Sequence, residues 1–101
     1  MNTYIILRRS GWSSLAELEK AGGVSARVGQ EMSDRVRWIR SYVTREANNR
    51  LGTVCIYQAK DPADIRDHAK RANLPCDTIV PVGDTLVINA DPLVPSGEPA
   101  Q

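Results

Sequence analysis

Asp61-Pro62-Ala63-Asp64-Ile65-Arg66-Asp67-His68-Ala69-Lys70-Arg71-Ala72-Asn73-Leu74-Pro75 reads as a helix with both ends marked. Asp61 suits the N-cap, because its carboxylate can accept from an orphan N–H of the first turn. Pro62 falls at the first helical position, where its missing N–H costs nothing. Asp64 and Asp67 load the first half with negative charge and Lys70 and Arg71 load the second with positive charge, as the helix dipole favours. Pro75 ends the helix. Ile65, Ala69 and Ala72 recur at helical spacing as a thin apolar stripe. At its edge lies His68, the only histidine of the chain.

Upstream of this helix, Thr53 to Ala59 has strand composition, with Val54 and Ile56 on one side and Cys55 and Tyr57 on the other. Glu46 to Gly52 supplies turn chemistry, with Asn and Gly available for positive φ. Before it, Arg35 to Arg45 reads as another strand. Its alternation sets Val36, Trp38, Arg40 and Tyr42 against Arg37, Ile39, Ser41 and Val43. The short turn makes these two strands an antiparallel hairpin, with Tyr42 and Cys55 as cross-strand neighbours.

Further back, Thr3 to Arg9 reads as the first strand and Ser10 to Ser14 as a loop. Ser14, three residues before Glu17, fits a capping box. Leu15, Leu18, Ala21, Ser25, Val28 and Met32 then recur at helical spacing. Gly22 and Gly23 weaken this helix by about 1 kcal/mol each relative to alanine. They read as close packing on the sheet or as a hinge beside a pocket.

After the second helix, Asp77 to Gly83 is extended but broken by Pro81, which suits an edge or a connection. Asp84 to Asn89 reads as the last strand. The predicted domain spans 1–92, and 93–101 reads as a flexible tail rich in proline and poor in groups to bury.

The order strand, helix, strand, strand, helix, strand predicts an α+β chain with the ferredoxin-like βαββαβ arrangement: a four-stranded antiparallel sheet with two helices on one face. The other face then has no cover within the chain. If Ile39, Val43, Val54 and Ile56 face the helices, Trp38, Tyr42 and Tyr57 lie on the open side. A monomer rarely leaves such a patch in water. A homodimer pairing two sheets, a dimeric α+β barrel-like assembly, is the simplest cover.

Composition sets the outer limits. The chain of 101 residues allows one core, and 42% hydrophobic with 25% charged residues is ordinary for a globular domain. Basic and acidic residues, 13 and 12, nearly cancel, which argues against a protein built to hold a nucleic-acid backbone. No run approaches the roughly 20 apolar residues of a membrane span, and the N-terminus has no signal pattern. The expected location is the cytoplasm, where Cys55 and Cys76 stay reduced.

Arg37-Trp38-Ile39-Arg40-Ser41-Tyr42-Val43-Thr44 resembles the tryptophan-x-x-serine-tyrosine-valine strand of a family of small bacterial ferredoxin-like proteins. Members are mostly of unknown function, and some are described as nickel-binding. The resemblance continues through Val54 to Tyr57, through Ile65 to Ala69 with Leu74-Pro75 after it, and through Val87 to Pro92. It implies a ferredoxin-like fold, a homodimer and a bound divalent metal.

Three sets of residues then compete as sites. His68 is a natural ligand for nickel or zinc. Asp64 lies four residues earlier on the same helical face, and Cys76 or Asp77 follows the helix as a third donor. The plainer alternative is a structural histidine bonded to Asp64, to Asp67 or at the sheet edge. Trp38, Tyr42, Cys55 and Tyr57 form the second set, an apolar surface with phenol and thiol groups that suits a small flat organic ligand or dimer packing. Arginines on the first three strands form the third. Gly52 to Tyr57 lacks the aromatic RNP pattern, which speaks against RNA.

The expected function is therefore non-catalytic binding of a small ligand, a divalent metal ion such as nickel. The alternative is a small dimeric α+β barrel enzyme, monooxygenase- or isomerase-like, acting on a small organic substrate in a pocket between sheet and helices.

Overall fold

The computed structural model describes residues 1–91, so the expected tail 93–101 lies outside the described residues. The elements run β1 (Asn2–Trp12), α1 (Leu15–Glu31), β2 (Val36–Arg45), β3 (Leu51–Ala59), α2 (Pro62–Ala72) and β4 (Thr78–Pro81). The sheet order is β2-β3-β1-β4, with every neighbouring pair antiparallel. This is the α+β ferredoxin-like arrangement.

Local chemistry places both helices. The Ser14 hydroxyl accepts from the Glu17 N–H at 3.2 Å and starts α1. Asp61 accepts from the N–H groups of Ala63 at 2.8 Å and Asp64 at 3.3 Å and starts α2. Asn73 ends α2 in the left-handed region, φ 55°, which asparagine tolerates better than most residues. Between the helices and the sheet sits one core, built on Tyr4 and Ile6 of β1, Val28 of α1, Cys55 and Tyr57 of β3, and Ile65 of α2, with Met32 and Val36.

The helix-facing side of the sheet is the reverse of the expected one. On β3, Cys55 and Tyr57 are buried beneath the helices, whereas Val54 and Ile56 are only partly covered on the open side. Tyr57 therefore does not belong to the uncovered face. A register break in β2 carries the change further. Trp38 lies opposite Tyr57, but Arg40 lies opposite Ile56, so Ile39 is an extra residue in the ladder. Such a bulge shifts the phase of every following side chain. Ser41, not Tyr42, is the partner of Cys55, and Tyr42 pairs with Val54 on the open face. Trp38, Ser41 and Val43 thus share the inner side with Tyr57, while Arg40 and Tyr42 point outward.

The last strand also differs. Thr78–Pro81 pairs with Tyr4–Leu7 at the sheet edge, where Pro81 needs no ladder partner for the N–H it lacks. Asp84 to Asn89 forms no strand, and Leu86, Val87 and Ile88 are exposed. At the other end, β1 runs past the expected loop through an irregularity to Trp12, which pairs with Leu51.

Gly52 is held by a close approach. A Cβ there would come within 2.6 Å of the Arg8 carbonyl oxygen, and backbone of a central strand yields little. Gly52→Ala is expected to destabilise the fold by about 1–3 kcal/mol. Gly83→Ala meets nothing within 4 Å and should stay within about 0.5 kcal/mol of wild type. Urea unfolding of the two variants checks the contrast.

Candidate functional site

His68 is 1% exposed and lies within the apolar stripe of α2 rather than at its edge. Its Nε2 is 3.1 Å from the carbonyl oxygen of Ser25 in α1. A carbonyl only accepts, so Nε2 carries the proton and Nδ1 keeps a bare lone pair. That Nδ1 is buried and has no partner among the described residues. Burial holds the imidazole below its ordinary value of 6.5, against the hydrogen bond to Ser25, which favours the charged ring.

Asp64 shares this face of α2 but is engaged elsewhere. Its carboxylate accepts from Arg35 Nε at 2.6 Å, and Arg35 also meets Asp67 at 2.9 Å. Asp77 is fastened to β1: its carboxylate accepts from the Arg9 N–H and its own N–H donates to the Leu7 carbonyl at 3.1 Å. Cys76 is partly buried against the core. Among the described residues no three His, Cys, Asp or Glu side chains come together.

The second predicted set is divided by the sheet. Trp38, Cys55 and Tyr57 line a cavity of about 110 Å³ between α1 and the inner side of the sheet. Tyr42 lies outside it, on the open face, where its hydroxyl donates to Asp91 at 2.7 Å. The Trp38 and Tyr57 rings stack with centroids 6.0 Å apart and planes 5° from parallel. Trp38 Nε1 donates to Ser41 at 2.7 Å, a contact the bulge makes possible by turning Ser41 inward. Tyr57 and Ser25 hydroxyls meet at 3.2 Å. The Tyr57 ring also lies 5.5 Å from that of His68, so one phenol touches both the cavity and the histidine.

Gly22 lines the same cavity, and neither Gly22 nor Gly23 would bring a Cβ within 4 Å of another group. Close packing therefore does not explain this pair. Helix α1 runs unbroken through both, and the missing side chain at Gly22 leaves cavity space open.

Arg8, expected among the arginines of a solvated strand face, is instead enclosed. It sits on the inner side of β1, 2% exposed, and lines the cavity. Its Nη1 donates to the Pro75 carbonyl at 2.5 Å. The period of two puts Arg8 on one face with Tyr4 and Ile6, and burial of that face beneath the helices takes the arginine inside.

Over residues 4–82 the sequence matches the family described as nickel responsive protein SCO4226-like. The chain belongs to that family. The crystal structure of SCO4226 from Streptomyces coelicolor A3(2) has the same fold, with a TM-score of 0.68 at 14% identity, over 83% of this chain and 99% of that one. No curated protein matches the chain. No helix among the described residues is long and apolar enough to cross a membrane.

The buried imidazole makes stability depend on pH. In the unfolded chain His68 binds a proton below about 6.5, whereas the folded chain keeps it neutral to lower pH. Its contribution is complete above about 6.5 and is lost as pH falls from there towards the depressed folded value. Urea unfolding over about pH 5 to 8 should show wild type weakening on the acid side of that window. In His68→Gln, which retains an amide donor for Ser25, the slope should flatten; an equal slope in both proteins would speak against the buried neutral ring.

Proposed function

We propose that the protein is a non-catalytic ligand-binding member of the nickel-responsive family, that it binds a divalent ion such as nickel through His68, and that it acts as a homodimer. The observation behind the metal reading is the partnerless Nδ1 lone pair of a histidine whose other nitrogen is fixed by a backbone carbonyl. Metal-binding imidazoles commonly have this second hydrogen bond, which sets the tautomer and orients the ring. The fit is partial. Asp64 reaches the ion only by leaving Arg35, and the described chain has no third donor in place, so the remaining positions fall to water or backbone oxygens.

Nickel titrated calorimetrically into untagged protein at about pH 7.5 tests the reading, since neutral imidazole is required for binding. Wild type should bind, and His68→Gln should lose most of the affinity; Asp64→Asn should lose less. Because burial keeps the ring neutral, wild-type affinity should hold down to pH values below the ordinary imidazole range, about 6.5. Identical isotherms for wild type and His68→Gln would refute His68 as the donor.

The dimer reading rests on the open face of the sheet. Ile5, Leu7, Val54 and Ile56 are only partly covered there, and Tyr42 and Val80 are 45% and 41% exposed. Sedimentation at micromolar concentration should give twice the chain mass of 11.1 kDa. Ile56→Asp, a charge at the centre of that face, should shift the protein to monomer without unfolding it. A wild-type monomer would exclude the assembly.

The enzyme alternative keeps one supporting observation, the cavity between α1 and the sheet. Turnover of a bound organic molecule would favour it; stoichiometric nickel without turnover favours the binder.

A further inference from the structure

We propose that the cavity between α1 and the sheet binds a small organic monocarboxylate with a flat or branched apolar body, with the Arg8 guanidinium as its counter-charge. This is a site apart from the His68 nitrogen and needs no metal.

Arg8 is a buried cation without an anion. It is 2% exposed, and no carboxylate among the described residues forms an ion pair with it. Its Nη2 is buried and has no hydrogen-bond partner. The guanidinium carbon lies 5.9 Å from the centre of the Tyr57 ring, which offers a cation a favourable face but no charge. An unpaired buried charge is costly, and a bound anion removes that cost.

No aspartate or glutamate lines the cavity, and Arg8 is the one charged side chain on its walls among the described residues.

The rest of the lining chooses the body of the ligand. Trp12, Trp38, Leu18 and Val43 make apolar walls, and Gly22 leaves room between them. About 110 Å³ is somewhat below the ~150 Å³ of an apolar cavity known to hold benzene, so a single ring or a short branched chain sets the scale. One positive charge matches one carboxylate. A doubly charged phosphate would be under-neutralised and poorly matched to these walls.

Benzoate and its neutral isostere benzamide are the probes, titrated in the presence of a chelator and read by the fluorescence of Trp12 and Trp38. Benzoate should saturate, with affinity at least about tenfold above benzamide, the equivalent of one charge-assisted contact. Arg8→Met should abolish that preference, and Arg8→Lys should restore part of it. Gly22→Leu, whose side chain enters the cavity from α1, should block both probes while thermal unfolding shows the protein still folded. Equal affinities for benzoate and benzamide in wild type, or unchanged benzoate binding in Gly22→Leu, would overturn the assignment. The comparison of probes on wild type decides even if Arg8→Met does not fold. Because nickel is absent throughout, failure of the metal reading leaves this outcome untouched.

Discussion

The Tyr57 side chain meets every layer of the molecule. Its hydroxyl reaches Ser25 of α1 at 3.2 Å, and its ring packs on His68 of α2 and stacks on Trp38 of β2. Arg8 of β1 lies against the same ring. A phenol suits this position because it buries a large apolar area and still brings one polar atom that needs a partner. That need fixes α1 at Ser25. The Ser25 carbonyl in turn accepts from His68 Nε2–H and fixes α2. The two helices are thus keyed to the sheet, and to each other, by one short chain of directional contacts.

This arrangement has an electrostatic consequence. Burial drives Tyr57 and His68 towards their neutral forms, whereas an arginine stays charged. Among the described residues the Arg8 guanidinium is the buried cation beside Tyr57. The carboxylates of α2 cannot balance it, because Asp64 and Asp67 are turned to Arg35 at the helix margin. The His68 imidazole and the Arg8 guanidinium both lie against the Tyr57 ring, and the divalent ion and the organic anion proposed above address these two groups separately.

The bulge at Ile39 gives the cavity its second wall. Without the extra residue, Ser41 and Val43 would face outward and Tyr42 inward, and Trp38 would lose the hydroxyl that its indole N–H meets. The cost of an interrupted ladder is local. The gain is an inner edge of β2 that extends beyond the helices, leaving Trp38 and Val43 half in contact with solvent at the cavity mouth.

Much of the fold was legible in local sequence. Asp61-Pro62 and Asn73 delimit α2, Ser14 and Glu17 start α1, and the order of strands and helices specifies the sheet, because caps, turns and periodicity are properties of neighbours in the chain. Alternation sets Arg8 on one face with Tyr4 and Ile6, but with Ile5 and Leu7 equally apolar on the other it does not say which face is covered. What local pattern could not supply was the phase of β2 beyond Ile39, since a bulge preserves composition while exchanging the two faces. Nor could it say which edge segment pairs with β1: Asp84 to Asn89 has the better strand composition, yet Thr78–Pro81 takes the place, helped by the Asp77 N–H bond to Leu7 directly after the turn. Both helices and the central hairpin were readable from local sequence, for these depend on interactions a few residues long. Which faces meet was settled by long-range packing, and with it that Asp64 turns to Arg35, His68 to Ser25 and Arg8 to the cavity, because each of those contacts joins groups distant in sequence.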